Sequence, residues 1–475
     1  MKAGPPPAGG NSREKLGKAT DKGRRKEPEG QMSKVKQEES SLRERPEPVR
    51  PRRLADWINP EGERKVHSLV DKIYSKTNLA LAWERVRRNG GSGGIDGQSI
   101  ADFAAAADEQ LERLHQELKE KRYQPRAVRQ QLIPKAGQPG KFRPLGIPTI
   151  YDRVCQQAAL NRLEGIFEPI FDEANFGYRA GKSAKGALRK IWREIEQGQE
   201  WIVDADLKDF FGSVSHEKLL TLINQRVSDG RVLGLIAQML DAGVCVEGEV
   251  QPTPSGTPQG GVISPLLSNI LLTPFDKEMR RRGHRLTRYA DDWVVSCRSR
   301  KEAEKAMIDA RRVLAALGVT LNEQKTRIVH ISNGFEFLGY KIKRGTRGLR
   351  LPGHRVKSVQ NGQVYAYPRE KSIQSFMDQI RTRTKRTIPL DTVGLIAEIN
   401  PVIRGWGNYY CKAHVRKLFA KLDRWIIQRI WSHRTKRWRN TGWKQLPEKR
   451  LYGELGLVKL IHLIPSLQPS KCSPL

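Results

Sequence analysis

Two short apolar runs that lead into or out of closely spaced carboxylates constrain this chain more than any other feature. Trp201-Ile202-Val203 passes into Asp204-Ala205-Asp206-Leu207, and Tyr289-Ala290-Asp291-Asp292 passes into Trp293-Val294-Val295. Runs this rich in Val, Ile and Trp read as buried strands. Side chains alternate along a strand, so Asp204 and Asp206 share one side. Of the adjacent pair, one Asp can face a ligand while its neighbour sits at a turn.

Carboxylates gathered without neutralising Lys or Arg suit hard, oxygen-loving cations. Nucleotidyl transfer asks for such a cluster: two Mg²⁺ ions about 3.5–4 Å apart, one acting on the attacking 3′-hydroxyl and one on the triphosphate. A hairpin turn with solvated aspartates is the competing reading of Tyr289 to Asp292, and the tetrapeptide alone does not separate the two.

Charge narrows the partners. The 475 residues carry 86 Lys and Arg against 52 Asp and Glu, a net charge of +34. Such an excess repels itself until a polyanion neutralises it, and each phosphate bound releases counterions, so nucleic acid is the expected partner. An anionic membrane surface is the rival. The sequence has no run of about 18 apolar residues and does not open on a signal peptide. Cys155, Cys245, Cys297, Cys411 and Cys472 are scattered and form no C-x-x-C pair, which argues against zinc or a disulfide framework and for a reducing, cytoplasmic setting. Cys155 and Cys297 read as buried thiols.

The length allows two or three packed domains. Residues 1–55 are rich in Pro, Gly, Lys, Arg and Glu and nearly lack aromatics, which predicts a disordered basic arm. Residues 56–120 begin the ordered part. Val66, Leu69, Val70, Ile73 and Tyr74, then Leu79, Ala82, Trp83 and Val86, recur at helical spacing. Asn89 to Gly97 is a glycine-rich loop that turns tightly or touches template RNA. Across 121–345 short strands alternate with helices, Ala303 to Leu317 among them. From 346 to 475 the pattern is mostly helical and basic. Leu418, Phe419, Leu422, Trp425, Ile426 and Ile430 line one helix face, and Arg416, Lys417, Lys421, Arg424 and Arg429 lie on others.

Read in order, a series of blocks resembles the reverse transcriptases encoded by group II introns. Asn78-Leu79 with Trp83 and Asn89 to Gly97 looks like the N-terminal extension of non-retroviral reverse transcriptases. Ile133-Pro134-Lys135 with Arg143 to Pro148, and Phe176-Gly177-Tyr178-Arg179 with Gly181 and Ser183, look like fingers blocks. Gly256-Thr257-Pro258-Gln259-Gly260-Gly261 with Ser264 to Leu267 and Asn269 is similar to the block bearing the nucleotide-pocket glutamine. Asn322 and Lys325, then Phe337-Leu338-Gly339-Tyr340, resemble the last palm blocks. Arg404-Gly405-Trp406 with Tyr409-Tyr410 and Asp423 resembles the maturase region. The match runs from about 65 to 465.

The resemblance implies an α+β right-hand polymerase fold, with fingers and an antiparallel palm sheet, followed by an α-helical thumb and maturase domain. It implies an RNA-directed DNA polymerase of the bacterial cytosol or nucleoid that binds group II intron RNA, assists its splicing and copies it during mobility. Its partners would be intron RNA, primer or target DNA, and dNTPs. Asp206, Asp291 and Asp292 would hold two Mg²⁺ ions, joined by the Leu207 carbonyl. Phe211 would exclude a ribose 2′-hydroxyl, while Phe210 reads as core. Arg129, Lys135 and Arg143 would meet the triphosphate, Gln259 would position nucleotide or template, and Lys325 would protonate pyrophosphate. A structural or solvated basic side chain remains the alternative at Arg129, Lys135, Arg143 and Lys325.

Departures from the family pattern are Ala180, Gly212, Ser215 and Trp293. They touch loop geometry rather than a metal ligand. Beyond the palm, Arg381, Arg383, Lys385 and Arg386 form one basic cluster. Arg434, Lys436, Arg437, Arg439 and Lys444 form another, interleaved with Trp431, Trp438 and Trp443. Arg381, Arg383, Lys385, Arg386, Arg404, Arg434, Lys436, Arg437 and Arg439 are the expected RNA-binding residues, dominated by phosphates and shape, while the Trp residues either stack on unpaired bases or pack between helices. Trp406 and Trp425 read as core. The paired cysteines of an H-N-H endonuclease are absent up to Leu475, so insertion into single-stranded or opened DNA is expected. Two other readings stay in play. One is a splicing factor that does not polymerise; the other is a domesticated or defence-associated reverse transcriptase, which would generally lack the maturase blocks.

Overall fold

A computed structural model describes residues 57–134, 140, 142–253, 255–257, 259–345, 362–436 and 442–465. The expected basic arm, Lys135, Arg437, Trp438, Arg439 and Cys472 lie outside the described residues.

Strands are numbered β1 (Val128–Pro134), β2 (Phe142–Ile147), β3 (Trp201–Ala205), β4 (Val244–Val246), β5 (Glu249–Gln251), β6 (Arg285–Tyr289), β7 (Asp292–Cys297), β8 (Arg327–His330), β9 (Phe335–Phe337), β10 (Tyr340–Arg344) and β11 (Val364–Pro368). They form three sheets, ordered β2-β1-β4-β5, β6-β7-β3-β8 and β11-β10-β9. The second is antiparallel throughout, as expected of the palm. The first is mixed, because β1 runs parallel to β4.

The period of two explains how the palm sheet is buried on both faces. Val203, Trp293 and Val295 enter a core built with the helices Ser264–Arg281 and Arg300–Leu317. Ile202 and Val294 point the other way, into a second core shared with the helix Ala184–Glu196 and the C-terminal helices. Continuous apolar runs are what a sheet covered on both sides demands. Trp293 is fully buried with its ring 5.3 Å from that of Phe275, edge to face, so the core accommodates the larger ring.

Three expectations need correction. Val66 is not helical: it bridges to Val227, and the helix runs only from Val70 to Tyr74. Among the described residues beyond 346, a strand precedes the first helix. β10 and β11 pair across that point from Tyr340↔Pro368 to Arg344↔Val364, and the helices follow as Glu370–Arg383, Thr392–Tyr410 and Arg416–Thr435. Spacing alone did not reveal Val364 to Pro368 as a strand because all five residues are buried and show no alternation. Trp406 and Trp425 are half-buried rather than enclosed: Trp406 stacks on Phe376 at 4.5 Å, and the Arg381 guanidinium lies 5.6 Å from the Trp425 ring.

Cys155 and Cys297 are buried free thiols, as read from the sequence. Among the described residues no helix is long and apolar enough to cross a membrane.

Candidate active site

β3 and β7 pair antiparallel with Asp204 opposite Val294 and Ala205 opposite Trp293. Asp206 follows directly on the end of β3, and its charge acts on both Asp291 and Asp292. Asp291 occupies the turn between β6 and β7, whose strands close at Tyr289↔Asp292. Strand pairing thus carries Asp206 to the same end of the palm sheet as the Asp291-Asp292 pair, although 85 residues separate Asp206 from Asp291 in sequence.

Their fields overlap. Desolvation and then the charges of Asp291, Asp206 and Asp204 push Asp292 up to about 7, although its side chain still reaches solvent. Asp291 is raised by desolvation and by Asp206, with Lys325 and Arg143 pulling the other way. Desolvation also raises Asp204, against the pull of Arg327, whose Nε and Nη2 each donate to Asp204 Oδ2 at 3.0 Å.

One expectation fails here: the cluster is not free of basic neighbours. The Lys325 ammonium donates to Asp206 Oδ2. Among the described residues, no three His, Cys, Asp or Glu side chains converge closely enough to hold a metal ion. The donor chemistry nevertheless fits a hard divalent cation: oxygen-only, anionic and crowded.

Around the carboxylates the sequence blocks assemble. Leu207 is buried and bridges to Leu321, while Asn322 N–H donates to the Asp206 carbonyl at 2.9 Å. Phe210 is buried, as read from the sequence. Phe211 is half-buried, its ring 5.3 Å from that of Phe210 and edge-on to it. Thr257 N–H donates to the Phe211 carbonyl at 2.7 Å, and Gly146 N–H to the Gln259 carbonyl at 2.7 Å. The glutamine loop is therefore strung between Phe211 and β2. Gly260 is required there, since its φ is +117° and a Cβ would strike the Gly146 carbonyl. Arg143, exposed on β2, is near enough to lower Asp291 and Tyr178.

Two departures have local reasons. Ser215 Oγ accepts from Lys218 N–H and caps the helix His216–Asn224. A side chain at Gly212 would collide with the Asp209 carboxylate.

Arg129 points elsewhere than expected. Its guanidinium donates to the Gly93 carbonyl at 2.8 Å and the Gly94 carbonyl at 3.2 Å, while Arg153 donates to the Ser92 carbonyl. It holds the glycine loop rather than facing the carboxylates.

Sequence reasoning missed the support beneath the turn. Arg288 and Asp276 are fully buried and doubly bonded, Nε to Oδ1 at 2.7 Å and Nη2 to Oδ2 at 2.6 Å. Arg288 Nη1 also donates to the Ala290 carbonyl at 2.9 Å and to Asn269 Oδ1 at 3.2 Å. Ala290 sits at φ 58°, a left-handed conformation that costs a residue with a Cβ roughly 1–2 kcal/mol. A charge at the second position after Leu286 on a buried strand was the available signal.

In the C-terminal region the two basic clusters become one surface. Arg386 Nε donates to Ser432 Oγ at 3.2 Å, Lys436 Nζ reaches the Arg386 carbonyl, and Arg429 Nε donates to Thr384 Oγ1 at 2.9 Å. Arg429 is lowered by burial and by Arg381 and Arg386, a sign of crowded positive charge. Arg381 also pairs with Asp378 at 2.6 Å, and Arg383 donates to the Gln379 carbonyl at 3.2 Å. Lys385 and Arg434 are exposed beside them, and Arg404 is exposed on the separate helix Thr392–Tyr410. Of the aromatics left between base stacking and helix packing, Trp431 is buried and donates its N–H to the Leu446 carbonyl, whereas Trp443 is exposed. Asp423 accepts from Leu460 and Ile461 N–H and so fastens the C-terminal segment.

Known proteins resemble this chain over most of its described length. The reverse transcriptase (RNA-dependent DNA polymerase) family matches residues 133–342, and the group II intron maturase-specific domain matches residues 373–452. Protein YkfC of Escherichia coli is 32% identical over 62% of this chain and 87% of its own length. The group II intron-encoded protein LtrA of Lactococcus lactis is 30% identical over 64% of each chain, so this chain spans just under two thirds of that relative. A solved partial Cas6-RT-Cas1–Cas2 complex aligns over 52% of this chain and 43% of its own at 22% identity, with a TM-score of 0.35. With a reverse transcriptase module followed by a maturase-specific domain, the chain belongs to the group II intron reverse transcriptase/maturase family, RNA-directed DNA polymerases by class.

Proposed function

We propose that the protein extends a DNA primer along a group II intron RNA template, and that its helical region grips the same RNA to promote splicing. The observation that supports the polymerase half is the pairing of β3 with β7, which ends just before Asp206 on one strand and just after the Asp291-Asp292 turn on the other.

In this reading Asp206, Asp291 and Asp292 hold two divalent ions, with Mg²⁺ the expected species. The ions would supply charge neutralisation at the attacking and leaving oxygens. The protein's own residues do the rest. Arg143 offers a forked donor to the triphosphate from β2. Phe211 would exclude a 2′-hydroxyl by overlap with its half-buried ring, and the Gln259 loop, fixed to Phe211 and to β2, would limit how the nucleotide seats. Lys325 neutralises Asp206 in the metal-free protein and is placed to hold a proton near the pyrophosphate. Leu207 contributes backbone at the same strand end.

The RNA-gripping half rests on the joined basic surface of Arg381, Arg383, Lys385, Arg386, Arg434 and Lys436, with Arg404 on its own helix. Phosphates are its natural ligands.

Primer extension on RNA with Mg²⁺ and dNTPs tests the reading, comparing wild type with Asp291→Ala plus Asp292→Ala. Extension by wild type alone is expected. Equal extension by both refutes the site. Intron splicing without extension by either makes the protein a splicing factor only, and extension without any preference for intron RNA favours a domesticated enzyme.

A further inference from the structure

Arg288 joins three elements: a palm strand, the helix before it and the turn after it. From β6 it is clamped by Asp276 and reaches Asn269, both on the helix Ser264–Arg281, and it bonds the carbonyl of Ala290 in the turn. Asn269 in turn donates from Nδ2 to the Gly177 carbonyl at 3.0 Å. Gly177 lies flat against the turn, where any Cβ would collide with the Ala290 backbone nitrogen. The flanking backbone is tied as well: Phe176 N–H donates to the Arg288 carbonyl and Arg288 N–H to the Ala174 carbonyl, each at 2.8 Å.

A fully buried ion pair is an inefficient way to stabilise a fold, because desolvating both charges cancels much of their attraction, and packed apolar side chains often serve as well. This pair does something an apolar pair cannot. Asp276 occupies two guanidinium donors and fixes the plane of the fork, and a third nitrogen is thereby aimed at a backbone carbonyl one residue before Asp291. Ala290 has no glycine-like freedom, so its left-handed conformation needs an external hold.

We propose that Arg288, oriented by Asp276, is a positioning residue for the carboxylate turn: by holding Ala290 it sets where Asp291 and Asp292 stand relative to Asp206. This rests on the polymerase reading above.

Two variants test it. Arg288→Lys keeps a charge beside Asp276 but lacks the planar fork that also reaches Ala290 and Asn269. Arg288→Met with Asp276→Leu removes the pair while filling its volume. Both should remain folded by thermal unfolding and bind RNA as wild type does. In both, kcat for primer extension should fall about 10²-fold, the scale expected of a misplacement near 1 Å, with KM for dNTP unchanged. Mn²⁺ titrated into the nucleic-acid-free protein and followed by electron paramagnetic resonance should bind more weakly to each. Variants that melt earlier yet retain wild-type kcat and Mn²⁺ binding would reduce the pair to structural glue and overturn the proposal. Failure of wild type itself to extend a primer would remove the polymerase reading on which the proposal stands.

Discussion

The Lys325 ammonium rests on the Asp206 carboxylate, joining the end of β3 to the loop before β8 and placing a cation inside an otherwise acidic group. Lys325 is 62% exposed in its side chain, so it can swing away without breaking the core. Replacing it with Met should lower kcat for primer extension by about 10²-fold, the lower end of what a proton donor supplies. The metal-free variant should also melt below wild type at pH 8, because Asp206 loses its countercharge. Unchanged kcat at saturating dNTP would show that Lys325 only balances charge in the metal-free protein.

Asp292 makes the metal-free protein sensitive to pH. Its folded pKa near 7 lies above an ordinary carboxylate value of about 4, so the folded state holds the proton more tightly than the unfolded chain. Stability from this group is complete below about pH 4 and is lost as pH rises through 7. Asp292→Asn should therefore melt above wild type at pH 8 without divalent ions, and the difference should vanish by pH 4. Divalent binding should tighten across the same range, because ligation displaces the proton. A difference in melting temperature independent of pH would contradict this assignment.

Phe211 should govern sugar choice. Its half-buried ring is braced edge-on by Phe210, and its carbonyl is tied to Thr257. Phe211→Val opens space without disturbing the buried Phe210. The ratio of kcat/KM for dNTP over NTP should fall by at least about tenfold, through a gain for NTP rather than a loss for dNTP. Competitive single-nucleotide incorporation measures it directly, and an unchanged ratio removes Phe211 from the sugar pocket.

The joined basic surface predicts a division of labour. Arg386→Glu with Arg434→Glu should weaken intron RNA binding and reduce the slope of log affinity against log salt by about 1 for each phosphate no longer neutralised. Extension of a short, unstructured primer–template should change far less, because the palm carboxylates are untouched. Equal weakening of both would mean that this surface grips the primer–template itself. Filter binding at several salt concentrations and extension assays separate the outcomes.

Much of this was legible in the amino-acid sequence. The apolar runs beside Asp204 to Asp206 and Asp291-Asp292 declared buried strands with carboxylates at their ends, since a period of two and the exclusion of uncompensated charge from cores are local rules. The excess of positive charge declared a polyanionic partner, and the order of the blocks declared the family. What only the tertiary structure decided is which charges meet. Lys325 and Asp206 are 119 residues apart, Arg129 and Gly93 are 36, and Arg386 and Ser432 are 46. No spacing rule couples such pairs, because their distance is set by strand register and helix packing rather than by chain period. Arg288 shows the reason most sharply: in sequence it is one more arginine in a basic protein, and only enclosure by packed elements fixes its guanidinium on Asp276, Asn269 and the Ala290 carbonyl.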